Sequence, residues 1–109
     1  MNVRHPDEGT SIIDIAGELT GESEQELADA QQAASRPGTK LVVLNFTGLE
    51  YMNSTGIGLL VTLLIRAQRE GQRVVAYGLD EHYREIFSLT RLDEAIAIVD
   101  SEADALAAA

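Results

Sequence analysis

The chain has no cysteine, which excludes disulfides and thiolate metal sites without fixing a compartment. No apolar run approaches the ~20 residues that a bilayer-crossing helix needs, and the first residues form no signal-peptide core. No membrane insertion is expected. Positive charge is scarce, with 8 Lys and Arg against 18 Asp and Glu and a formal net charge of −10. Such an excess repels phosphodiester backbones, so nucleic acid is not an expected partner and a basic protein surface is favoured. Catalytic signatures are missing too. There is no Gly-x-x-x-x-Gly-Lys-Ser/Thr loop, no Gly-x-Gly-x-x-Gly after a strand and no Gly-x-Ser-x-Gly nucleophile turn. The two histidines, His5 and His82, support neither a Ser–His–acid triad nor a His-x-x-x-His zinc pair. Both read as exposed side chains, His5 in an edge strand and His82 off the apolar stripe of its helix. The carboxylates scatter as on a solvated surface. The expectation is a protein that is not an enzyme and carries no metal or cofactor.

What is present is one domain's worth of chain: 109 residues, 45% hydrophobic and 24% charged, enough for a single core. It is organised around Lys40 to Gly71. Residues 40–46, Lys-Leu-Val-Val-Leu-Asn-Phe, form a nearly unbroken apolar, β-branched run, which predicts a strand covered on both faces. From Thr55 to Glu70 no proline intervenes. Ile57, Leu60, Val61, Leu64 and Ala67 fall at helical spacing, and Leu59, Leu63 and Ile65 widen the stripe, so the expected helix is buried over much of its circumference. Arg66 and Arg69 suit its negative C-terminal end and Gly71 its cap.

The rest of the chain fits around this unit. Asn2–His5 reads as a weak strand, Pro6–Gly9 as a turn and Ser11–Ala16 as a better strand. Glu22–Ala34 reads as a helix with Leu27, Ala30 and Ala34 on its inner face and Glu22, Glu24, Glu26 and Asp29 mainly elsewhere. Residues 72–78 supply a second apolar strand, which makes a right-handed βαβ unit with the first. Asp80 caps a short helix carrying Tyr83, Ile86 and Phe87. Ile96–Val99 is a last strand, and Ser101-Glu102-Ala103-Asp104 opens a C-terminal helix to about Ala108.

Chemistry concentrates at the front of the central helix. Asn53 and Ser54 are both good N-cap types, while Gly56 and Gly58 each cost about 1 kcal/mol of helix propensity. That cost points to backbone held close to something, a ligand or a packed strand. A hydroxyl there lies beside orphan N–H donors, where a phosphate is accommodated. A hydroxyl that merely caps the helix is the alternative.

Residues 45–58, Asn-Phe-Thr-Gly-Leu-Glu-Tyr-Met-Asn-Ser-Thr-Gly-Ile-Gly, resemble the signature of the STAS family of bacterial anti-sigma factor antagonists: strand, short loop, Asp-Ser-Ser/Thr-Gly-apolar-Gly, helix. Gly17-Glu18-Leu19-Thr20-Gly21 resembles the family's Gly-Glu-Leu/Ile-Asp turn, and Phe87, Thr90 and Leu92 match a further segment in which Thr90 reads as structural. The resemblance spans nearly the whole chain, with two departures: Asn53 and Thr20 stand where the family has Asp. It implies an α/β fold, a single STAS-type domain over residues 1–109 with a mixed four- to five-stranded sheet and about four helices.

Functionally it implies a cytoplasmic, phosphorylation-controlled interaction switch. Ser54 is the implied phosphoacceptor, with Thr55 as fallback. The implied contact surface comprises Gly17, Glu18, Thr20, Gly21, Met52, Asn53, Ser54, Thr55, Gly56 and Gly58. For Gly17 and Gly21 a plain strand-to-helix connection, with Thr20 or Ser23 as N-cap, is an equal reading. The implied partner is an anti-sigma factor, often a serine kinase that brings its own ATP and Mg²⁺, with a serine phosphatase as a possible second partner. A STAS scaffold or transporter-associated docking domain that is never phosphorylated, and a carrier of a nucleotide or lipid, stay open beside it.

Overall fold

The structure, a computed structural model, describes residues 1–108. Its main sheet has five strands in the order β1-β2-β4-β6-β7. These are β1 (Asn2–Asp7), β2 (Thr10–Asp14), β4 (Leu41–Asn45), β6 (Arg73–Tyr77) and β7 (Ala97–Val99). β1 runs antiparallel to β2, and every other neighbouring pair is parallel. The mixed sheet is as expected. Helices α1 (Glu24–Ala34), α2 (Ser54–Arg69), α3 (Glu81–Leu89) and α4 (Glu102–Ala107) complete the α/β fold.

Alternation within the central strands divides the interior in two. Ile13, Val42, Leu44, Val74 and Ala76 point to one face, where Leu27 and Ala30 of α1, Leu60 and Leu63 of α2 and Phe87 of α3 cover them. Ile12, Val43, Val75 and Tyr77 point to the other, where they meet Ala105 of α4. An unbroken apolar run is what two covered faces require. Leu60 is fully buried, and Leu64 is 8% exposed. Gly71 ends α2 in the left-handed region at φ 69°, as the cap expectation required.

Four expectations need correction. β1 continues through Pro6 to Asp7, with an irregular register between Arg4 and Asp7; an edge strand tolerates proline because the missing N–H faces no neighbour. β2 starts at Thr10 and stops at Asp14. The segments flanking the central strand and helix also form a separate two-stranded parallel sheet, β3 (Gly17–Leu19) with β5 (Leu49–Met52). Finally, Val61 and Ile65 are 37% and 44% exposed. Helix α2 packs on the sheet with one face, so its outer apolar residues stay in water.

One polar group bridges the second face. Arg4 grips Asp14 with two hydrogen bonds, Nε to Oδ2 at 2.8 Å and Nη2 to Oδ1 at 2.7 Å. Its Nη2 also lies 2.7 Å from Glu102 Oε1. The Tyr77 hydroxyl donates to the same carboxylate at 2.9 Å, and Asn45 Nδ2 donates to Asp14 at 2.8 Å. Strands β1, β2, β4 and β6 and helix α4 are thereby tied together. The Arg4 guanidinium holds both carboxyls below their ordinary range, with Asn45 adding to the effect on Asp14 and Tyr77 to that on Glu102.

Two outcomes are expected. Leu60→Ala costs about 2–5 kcal/mol in urea denaturation, whereas Ile65→Ala changes stability by less than about 0.5 kcal/mol. For the carboxylates the sign is fixed by their lowered values. The folded state favours the charged form, so their contribution is present above the ordinary carboxylate range and disappears as pH falls through the folded values. Urea titrations from about pH 7 down to about pH 3 show falling stability, and Asp14→Asn is less stable at neutral pH with a shallower decline.

Candidate functional site

Helix α2 starts where β5 ends, and its first turn is capped by one side chain. Asn53 is extended (φ −101°, ψ −178°), and its Oδ1 accepts the Gly56 N–H at 2.9 Å. The Ile57 N–H closes on the Asn53 carbonyl at 3.1 Å. Asn53 is therefore the cap, and Ser54 is not. Ser54 and Thr55 occupy the first two helical positions, both exposed, with backbone N–H groups that have no intrahelical acceptor. Among the described residues no group bonds either hydroxyl. The first turn holds no acidic side chain, and Asn53 is a neutral amide, so the helix itself brings no negative charge to its positive dipole end.

The Gly17–Gly21 segment is brought against this turn. β3 and β5 pair with a register shift after Gly17, which sets Gly17 opposite Leu49, Glu18 opposite Tyr51 and Leu19 opposite Met52. Leu19 and Met52 face the core, while Glu18 and Tyr51 face solvent. Gly17 is left-handed at φ 77°. The Leu19 carbonyl accepts the Asn53 N–H at 3.4 Å. A Cβ built on Gly21 would sit 3.3 Å from Thr55 Cγ2, so the two segments touch.

Thr20, in the position where Asp was expected, caps a single 3₁₀ turn at Gly21–Ser23. Its Oγ1 accepts the Glu22 N–H at 3.3 Å, and its own N–H donates to Ser23 Oγ at 3.1 Å. The capping alternative therefore describes Thr20, and Glu18 and Glu22 supply the exposed negative charge nearby.

The two helical glycines separate cleanly. A Cβ on Gly56 would lie 2.0 Å from the Leu19 carbonyl oxygen and 3.2 Å from Met52 Cγ, so close helix–strand packing explains that residue. A Cβ on Gly58 would meet nothing within 4 Å. Its side of the helix is open, and no contact in the fold accounts for it.

Tyr83 was legible as an apolar stripe residue, but its polar end was not. From α3 its buried hydroxyl accepts the Met52 N–H at 2.9 Å, pinning the end of β5 directly before the cap. A tyrosine at a core position is the one signal that could have suggested this, because a buried hydroxyl needs a partner. The histidines lie where expected, exposed, His5 Nδ1 at 3.0 Å from Ser11 Oγ and His82 edge-on to Tyr83. A cleft of about 380 Å³ opens between α1 and the far end of α2, lined by Gln25, Asp29, Gln32, Arg66 and Glu70 among others, none of them from the Ser54 region.

With this arrangement in place, comparison with known proteins is decisive for the family. A family model described as "Mlab, STAS domain" matches residues 1–100. The chain belongs to the STAS domain family. It is 28% identical over 82 residues to an anti-sigma-B factor antagonist of Staphylococcus epidermidis, an alignment covering 75% of this chain and 76% of that protein. Its fold matches the Bacillus cell fate determinant SpoIIAA in the phosphorylated form, with TM-score 0.74, 19% identity and coverage of 96% and 95% of the two chains. It also matches a sulfate transporter family protein from Wolinella succinogenes, with TM-score 0.80, 17% identity and coverage of 95% and 87%.

The glycines of this STAS domain make a paired test. Gly56→Ala forces the Leu19 carbonyl away and costs about 1–3 kcal/mol. Gly58→Ala gains helix propensity, raising stability by about 0.5–1 kcal/mol. Urea midpoints of the two variants should move in opposite directions.

Proposed function

We propose that the chain is an anti-sigma factor antagonist, a switch that binds an anti-sigma factor while Ser54 is unphosphorylated and so frees a sigma factor. The observation that carries this reading is the Ser54 hydroxyl: exposed at the first position of α2, relieved of the capping role by Asn53, and set against the Gly17–Gly21 segment. Similarity to the Staphylococcus epidermidis anti-sigma-B factor antagonist supports the partner class. The partner is a serine kinase that supplies ATP and Mg²⁺, a serine phosphatase resets the switch, and the site of action is the cytoplasm. Ser54 is the acceptor and Thr55 the fallback.

The physics of such a switch is local. A phosphate adds about −1.5 to −2 charges at pH 7. Within the domain it meets the helix N-terminus, which favours it by about 0.3–1 kcal/mol, and Asn53 introduces no carboxylate to repel it. At an interface the same charge must be desolvated, at a cost of several kcal/mol when unpaired. A loss of about 3 kcal/mol weakens binding by roughly two orders of magnitude. Activity then changes without unfolding.

A second reading has its own support. Likeness to the Wolinella succinogenes sulfate transporter family protein, together with Asn53 and Thr20 in the Asp positions, fits a docking domain that is never phosphorylated. Calorimetric titration of the cognate anti-sigma factor separates the two. Phosphoserine 54 and Ser54→Asp lose affinity about a hundredfold, Ser54→Ala keeps it, and all forms share one melting temperature. Undiminished binding by the phosphoprotein refutes the switch and favours the docking domain.

A further inference from the structure

The cleft between α1 and the far end of α2 has a polar floor that the fold does not need. Gln31 lines it and is only 6% exposed, whereas the other buried residues of α1, Leu27, Ala30 and Ala34, are apolar. Its Nε2 donates to the Leu63 carbonyl at 2.9 Å, its one side-chain hydrogen bond among the described residues. The Oε1 atom has no donor, and it stays reachable from the cleft. A carbonyl oxygen on a side chain more than nine-tenths buried, open only to a cleft, calls for a ligand that carries N–H or O–H groups.

Charge narrows the class. Asp29 and Glu70 border the cleft with Arg66, and a narrower groove that shares Ala28, Gln31 and Arg66 continues from it to Glu24 and Leu59. None of the three carboxylates forms an ion pair with Arg66, and together they leave an excess of two negative charges. Gln25 Nε2 donates to Asp29 Oδ1 at 2.8 Å and holds that carboxylate in place. Both helices also end here, Ser35 being the C-cap of α1 and Glu70 that of α2. Two negative dipole ends therefore meet at one mouth, where a cation is favoured. From Glu24 to Ser35 the α1 wall runs about 16 Å at 1.5 Å per residue, a length that suits a linear molecule.

We propose that this cleft binds a linear aliphatic polyammonium ion. One ammonium donates to Gln31 Oε1 and Asp29, a second sits at the mouth beside Glu70 and the two helix ends, and a third reaches Glu24. The methylenes between them lie on Ala28 and Leu59. A zwitterion would set its carboxylate against the excess negative charge, and a compact metal ion would leave the groove unfilled. The site lies away from Ser54, and its occupancy does not depend on the switch.

Spermidine, n-butylamine and Mg²⁺ are titrated separately into ¹⁵N-labelled protein at about 0.15 M salt, where the Debye length is about 8 Å. Spermidine binds saturably and at least tenfold tighter than n-butylamine. It shifts the Gln31 side-chain amide and the backbone of Ala28, Gln32 and Arg66, and equimolar Mg²⁺ does not displace it. Gln31→Met keeps the length of the side chain, loses the acceptor and weakens spermidine at least fivefold. Arg66→Gln removes the competing cation and tightens spermidine at least threefold, a gain that damage to the fold would not produce. Glu81→Gln with Glu85→Gln removes two charges from α3 and leaves the affinity unchanged, as does Ser54→Ala. Shifts scattered over the acidic surface, displacement by equimolar Mg²⁺, or no saturable binding at millimolar concentration overturns the proposal. So does an affinity that either Gln31→Met or Arg66→Gln leaves unmoved.

Discussion

The approach of α2 to β3 is the contact on which the site depends. A Cβ on Gly56 would overlap the Leu19 carbonyl oxygen at 2.0 Å, so the helix meets the strand at a distance only glycine allows. From that contact the rest follows. The Asn53 N–H reaches the same carbonyl, the Asn53 side chain closes back on Gly56, and Ser54 and Thr55 are left facing outward beside Gly21. The hydroxyls are displayed because everything around them is held. Tyr83 adds the hold from the other side, through the Met52 N–H.

The large sheet supplies rigidity and little else to this corner. Its central strands are covered on both faces, which is where most of the apolar burial lies. The Arg4, Asp14 and Glu102 group sits on the face opposite α2 and fastens α4. The work is divided, with one face bearing the helix that carries the site and the other closed by a short helix and an ion-pair cluster. A charge added at Ser54 meets neither.

How much of this was legible from residues alone varies with the strength of local signals. The Leu41–Asn45 strand and the α2 helix were plain because a long apolar run and sustained 3.6-residue spacing are the strongest local signals a sequence carries. β3 and β5 were not, since they have three and four residues, include Gly17, Glu18 and Glu50, and exist because their register pairs Leu19 with Met52. Periodicity also marked Val61 and Ile65 as inward, for it counts apolar residues without knowing how many sides a sheet can cover. The two helical glycines looked alike in sequence and differ only in what surrounds them. Thr20 and Asn53 were read as departures from a family pattern. In the structure both are satisfied caps, with their side chains engaged in backbone hydrogen bonds.

The central claim is that this site changes chemistry without changing the fold beneath it. Amide hydrogen exchange of the protein with and without phosphate on Ser54, followed residue by residue, tests it most directly. Altered protection is expected only in segments 17–21 and 52–58, with the amides of β2, β4 and β6 exchanging at unchanged rates. Faster exchange throughout those central strands would mean that the phosphate acts by loosening the domain, and would contradict the account.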